Sequence, residues 1–289
     1  MTGRDDYAHR VRSTLASLIP YAIVIVAIFL GLCAFLYFRQ EEFLFFPGPN
    51  DPVLRKRMQD RRIVIASDGA DIEAWWMTNE SAATAVILYF GGNAEDVLYF
   101  ASTAQQWPVR HVLVANYRGF GETAGRLSEK AAYQDALALY DYAARQVSGD
   151  RIFVMGRSLG SGIATYLATQ RPIAGSILVT PYDSIVAVGK RHYPVFPVRW
   201  LLRHRFASDE RAPTIRTPVL IIAAEHDNVI PPAHAQQLFE RWSGPKEIHV
   251  LPGVGHNDVE LHPDYDALVT EFLMEVAPAR VRLEKEEEE

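Results

Sequence analysis

The chain of 289 residues is 49% hydrophobic, enough for one large domain with a substantial core. Its formal net charge of −6, with both signs interspersed, excludes the basic stripe that a nucleic-acid binder needs. A single cysteine, Cys33, excludes an intramolecular disulfide, and its apolar surroundings disfavour a reactive thiolate.

In chain order, residues 1–12 form a polar tail, and no charged residue then occurs between Arg12 and Arg39. About 20 apolar residues suffice to cross a bilayer as a helix, so residues 13–38 read as a transmembrane anchor. Pro20, near its start, costs little there. The stretch exceeds the apolar region of about 7–15 residues in a cleaved signal peptide, and no small-residue cleavage site follows it. Leu32 before Cys33 argues against a lipoprotein signal. Arg4, Arg10 and Arg12 ahead of the span favour a cytoplasmic N-terminus and an extracytoplasmic domain. Residues 39–60 read as a linker or docking segment, in which Phe43, Phe45 and Phe46 lead into Pro47-Gly48-Pro49.

From residue 61 to about 278, short β-rich runs alternate with helical ones. Strands are expected at 62–66, 72–77, 85–90, 111–116, 151–155, 175–180, 219–224 and 247–251. Most are continuously apolar, as strands covered on both faces are. Helices are expected at 96–106, at 128–147 behind an N-cap at Ser128, and at 159–170, 232–242 and 263–276. The alternation predicts an α/β fold with a mostly parallel sheet flanked by helices. Residues 185–216 hold no convincing strand but several aromatic and aliphatic residues, and read as a short cap insertion. Residues 279–289 form an acidic, solvated tail.

The chemistry centres on Gly156-Arg157-Ser158-Leu159-Gly160, which joins an expected strand to an expected helix. A serine there sits on a turn so tight that the positions two before and two after it must be small, and its hydroxyl stands above the sheet. Ser161 fails that requirement, because Leu159 occupies its −2 position. A serine nucleophile needs a base, an orienting acid and oxyanion donors. His256, in the Gly-rich loop after the last strand, supplies the base. Asp227, at the end of the strand 219–224, supplies the acid, with Asp183 as its best competitor. Glu225 and Asp258 are weaker candidates. The Gly91-Gly92-Asn93 loop, through the backbone N–H of Asn93, and the N–H of Leu159 would form the oxyanion hole. No phosphate-loop, dinucleotide or metal-ligand pattern occurs, so neither cofactor nor metal is expected.

With these residues in view, the chain resembles the membrane-anchored α/β-hydrolase-domain serine hydrolases, which are related to serine-aminopeptidase-like enzymes. The likeness runs from about 43 to 275, through Tyr89-Phe90-Gly91-Gly92-Asn93-Ala94, Asn116-Tyr117-Arg118-Gly119, the turn at Ser158, Thr180-Pro181-Tyr182-Asp183-Ser184, Asp227-Asn228-Val229-Ile230-Pro231 and Gly255-His256-Asn257-Asp258. Members usually carry His-Gly where this chain has Gly91-Gly92. The resemblance implies the α/β-hydrolase fold and cofactor-free cleavage of an ester, thioester or amide. The anchor and the apolar insertion favour acylated or lipid-like substrates, and the bilayer as a partner. An aminopeptidase-like enzyme and a non-catalytic membrane-bound binding protein are the rival readings.

Overall fold

The computed structural model describes residues 3–276 apart from 81 and 83, so the expected acidic tail lies outside the described residues. Helix α1 (Gly3–Leu44) contains Pro20 in its interior, not at its start. From Ala16 onward it is long and apolar enough to cross a membrane. The helix runs past the expected end of the apolar span, where Arg39 and Glu42 pair one turn apart and support it. Side chains such as Leu18, Ile25 and Leu30 are exposed. Phe29, Cys33, Leu36, Gln40 and Leu44 are instead partly or fully covered, at the spacing of one helix face. Short helix α2 (Pro52–Arg57) follows, capped by the Asp51 carboxylate, which accepts from the amides of Val53 and Leu54.

Strands β1 (Arg62–Ser67) and β2 (Ala70–Thr78) form an antiparallel hairpin. Asp68 and Gly69 at its tip have φ of 34° and 77°, the left-handed pair that a two-residue turn of this hand demands. Then come β3 (Val86–Phe90), α3 (Val97–Thr103), β4 (His111–Ala115), α4 (Glu129–Ala143), β5 (Ile152–Arg157) and α5 (Leu159–Gln170). After β6 (Gly175–Val179) the chain makes three short helices, α6 (Ile185–His192), α7 (Val198–Leu201) and α8 (Ser208–Arg211). It closes with β7 (Val219–Ala224), α9 (Pro232–Arg241), β8 (Lys246–Leu251) and α10 (Tyr265–Val276).

The eight strands form one sheet in the order β1-β2-β4-β3-β5-β6-β7-β8, parallel from β4 to β8. Every residue of β3, β5, β6 and β7 is buried, as continuously apolar strands between two helical layers must be. One core packs α4, α5 and α9 on the sheet through residues such as Leu139, Ile163 and Leu238. The other, on the opposite face, packs α3 and α10 through Phe100, Val269 and Phe272. The insertion divides in two. Residues up to Leu202 stand over the strand ends, whereas Phe206, Ser208 and Ala212 are buried in the body of the domain.

Candidate active site

In a doubly wound sheet, ligands bind beyond the carboxyl ends of the strands. Ser158 follows β5, Asp227 follows β7, His256 follows β8, and Gly91-Gly92-Asn93 follows β3, so all four segments meet at that edge.

Ser158 has φ 50° and ψ −114°, a strained backbone for a residue with a side chain. Its amide donates to Val179 O at 2.9 Å, which holds the turn against β6. The flanking glycines are required by close approach. A Cβ on Gly156 would strike the backbone of Gly160, and one on Gly160 would strike the carbonyl of Phe90. The turn sets Ser158 Oγ 2.9 Å from His256 Nε2, and His256 Nδ1 lies 2.6 Å from Asp227 Oδ2. The other oxygen, Oδ1, accepts from the amides of Val229 at 2.9 Å and Ile230 at 2.7 Å, which locks the carboxylate plane. Asp227 is buried.

The competing residues are engaged elsewhere. Ser161 is fully buried and donates to Ser158 O at 2.6 Å. Asp183 accepts from the Ser184 amide and lies 2.8 Å from His234 Nδ1, in a second buried acid–imidazole pair. Glu225 and Asp258 brace the histidine loop by accepting from the amides of Gly253 at 3.0 Å and Gly255 at 2.7 Å. Among the described residues, no group of three or more His, Cys, Asp or Glu side chains could hold a metal ion.

Asn93 and Leu159 line the same cavity as Ser158. In the Asn93 loop the neighbouring amides are taken: Gly92 N–H donates to Glu95 Oε2 at 2.6 Å, and Ala94 N–H donates to Phe46 O at 2.9 Å. The Asn93 side chain reaches back to the end of α1, donating to Leu44 O at 2.9 Å and accepting from Phe46 N at 2.7 Å. Tyr117 OH fixes the other end of the loop by donating to Gly91 O at 2.8 Å.

Beside the serine lies a charged network that no local sequence pattern announces. Arg157 Nη1 donates to Glu95 Oε2 at 3.2 Å and Nη2 donates to His256 O at 3.0 Å. Its Nε lies 2.9 Å from Glu260 Oε1, at an angle too poor for a hydrogen bond. Burial pushes the guanidinium down, but the carboxylates, Glu95 foremost, hold it above its ordinary value. Tyr89 donates to Glu95 Oε1 at 2.5 Å. Burial, reinforced by Glu95, raises its phenol well above its ordinary value.

Ser158 opens into an apolar cavity of about 440 Å³, within the range of about 300–1,000 Å³ for small-molecule sites. Its walls come from the cap (Ile185, Val188, Phe196), the loop after Asp227 (Val229, Ile230) and the end of α1 (Leu36, Phe43), with no carboxylate, lysine or arginine among them. The residues lining a groove of about 810 Å³ along α10 beside Trp107 include neither a serine nor a histidine.

A family model described as "Serine aminopeptidase, S33" matches residues 81–207 and 198–260. The chain belongs to this family of α/β-hydrolases. An uncharacterized protein of Mycobacterium tuberculosis is 34% identical over 251 residues, covering 84% of this chain and 89% of the relative. A lysophosphatidylserine lipase of Danio rerio is 28% identical over 234 residues, covering 69% of this chain and 60% of the lipase. An esterase of Pyrococcus furiosus superposes with a TM-score of 0.65 at 16% identity, over 81% of this chain and 98% of the esterase. At that identity the likeness is one of fold. The loop at Gly91-Gly92 is braced from Glu95, Tyr117 and Phe46.

Proposed function

We propose that the protein is a membrane-anchored serine hydrolase that cleaves an ester, thioester or amide bond of an acylated, lipid-like substrate through an acyl-enzyme. One observation carries this reading: the chain Ser158–His256–Asp227, joined by contacts of 2.9 and 2.6 Å, at the floor of an apolar cavity. Ser158 Oγ attacks the carbonyl carbon while His256 Nε2 takes its proton. Asp227 holds the Nδ1–H tautomer and stabilises the imidazolium. The amides of Asn93 and Leu159 receive the oxyanion. His256 then returns the proton to the leaving group, and water repeats the sequence to release the acid.

An aminopeptidase needs an anionic group for the substrate's ammonium, and no carboxylate lines the cavity. A lipid-like acyl group suits such walls, and the lipase among the relatives acts on a lipid by name. The anchor is α1, with the domain on the extracytoplasmic side, as the arginines before the span favour. Protease digestion of sealed vesicles tests the orientation: a protected domain in right-side-out vesicles rejects it. A fluorophosphonate probe tests the chemistry. Wild-type protein is labelled and Ser158→Ala is not. Equal labelling of both would reject Ser158 as the nucleophile, and labelling of neither would leave a binding protein that retains the fold.

A further inference from the structure

The covered face of α1 is continuous with the cavity. Leu36 and Phe43 are cavity walls, and Gln40 is fastened to the cap by donating to Leu201 O at 3.2 Å and accepting from Arg203 N at 2.7 Å. Further up the span, Phe29 stacks on Phe196 of the cap, ring centroids 5.7 Å apart, and Phe196 also lines the cavity. Phe29 precedes Arg39 by ten residues, about 15 Å along a helix that crosses a hydrocarbon layer roughly 30 Å thick. A cap that touches Phe29 therefore sits below the headgroups. Its tip has the surface for that position: Trp200 is 83% exposed, Val195 76% and Tyr193 62%. Lys190, Arg191 and Arg199, also exposed, flank the tip and direct cationic ends on long apolar stems toward the anionic headgroup layer.

We infer that the mouth of the cavity lies within the bilayer, between α1 and the α6–α7 cap, so that one acyl chain of a membrane lipid enters sideways from the hydrocarbon. The end of the anchor is then a wall of the acyl site as well as a tether. This rests on the hydrolase reading for its chemistry, though not for its geometry.

Two measurements on the full-length protein in phosphatidylcholine vesicles test it. With bromine on the lipid acyl chains, wild-type tryptophan fluorescence contains a quenched component that Trp200→Phe lacks. In plain vesicles, Val195→Asp and Trp200→Asp each lower hydrolysis of a vesicle-embedded long-chain ester by about tenfold or more, because they place a charge in hydrocarbon. A water-soluble acetyl ester is hydrolysed by both at the wild-type rate. Leu36→Trp, which fills the cavity wall, lowers the ratio of long-chain to acetyl turnover. Absence of a quenched Trp200 component overturns the proposal. So does undiminished long-chain hydrolysis in the charged variants, or an equal fall on both esters. Quenching of Trp200 in a protein that no fluorophosphonate labels rejects the hydrolase reading and leaves the bilayer mouth standing.

Discussion

Arg157 donates from Nη2 to the main-chain carbonyl of His256 at 3.0 Å. The residue beside the serine thus fastens the loop that carries the histidine. Through Nη1 it also holds Glu95, which in turn accepts from Gly92 N–H. One buried guanidinium therefore ties together the serine turn, the histidine loop and the loop of Asn93.

Replacing Arg157 leaves the partly buried Glu95 without its cation and empties a buried site, and Arg157→Ala should cost about 2–4 kcal/mol of stability. Arg157→Lys keeps the charge but cannot fork to both partners. It should melt closer to wild type and still acylate more slowly. Thermal melts beside fluorophosphonate labelling rates separate the two effects. Wild-type labelling in a stable Arg157→Lys would remove the positioning role.

The turn glycines make a sharper prediction. Gly160 packs against Phe90 and Gly91 through backbone atoms that cannot turn aside. Gly160→Ala should cost more than about 4 kcal/mol, the range reserved for severe packing or backbone faults, and should yield little folded protein. Ser158→Ala removes only a hydroxyl and should melt near wild type. A Gly160→Ala protein with a wild-type melting temperature would contradict the geometry of the turn.

Asp227 and Asp183 can be told apart by activity. Asp227→Asn leaves the loop largely in place but presents an amide to His256 Nδ1, favouring the wrong tautomer. In Ser-His-Asp hydrolases that change lowers kcat about ten-thousandfold. Asp183→Asn weakens the pair with His234 and the bond from the Ser184 amide and should act through stability, with kcat of the folded fraction retained. A kcat loss in Asp183→Asn that matches Asp227→Asn would reassign the acid.

Much of this arrangement is legible in local sequence. The central strands are apolar runs bounded by glycine, proline and charge, and the small residues around Ser158 announce the turn by their size. Asp227 and His256 are found because each lies just past such a run. The Arg157–Glu95 pair escapes notice because its members are 62 positions apart, and ion pairing leaves no periodic trace. The docking of α1 is hidden for a related reason. Gln40 resembles any polar residue at a membrane boundary, and only the folded cap shows that its amide is matched by Leu201 and Arg203. The Asn116-Tyr117-Arg118-Gly119 run acquires a structural meaning. Asn116 donates to Glu73, Tyr117 to Gly91 O, and Arg118 to the buried Asp135.

Glu73, buried in β2, predicts an acid-sensitive component of stability. Its carboxylate accepts from Arg62 Nε at 2.7 Å, Asn116 Nδ2 at 3.0 Å and Glu122 N at 3.1 Å, and from Arg55. Burial pushes its pKa up, but these donors, Arg62 first, outweigh it and hold the carboxyl below its ordinary value of 4.5. A group with a lower pKa in the folded than in the unfolded chain stabilises fully above the unfolded value. That contribution fades as pH falls from there through the folded value. Wild-type melting temperature should therefore decline below about pH 4.5 partly through Glu73. Glu73→Gln should cost about 1–3 kcal/mol at neutral pH, where donors lose their charged partner. The gap between the two proteins should narrow on acidification, as protonation removes the same charge from the wild type. Parallel melting curves from pH 7 to pH 3, with a constant gap, would show that Glu73 does not carry this dependence.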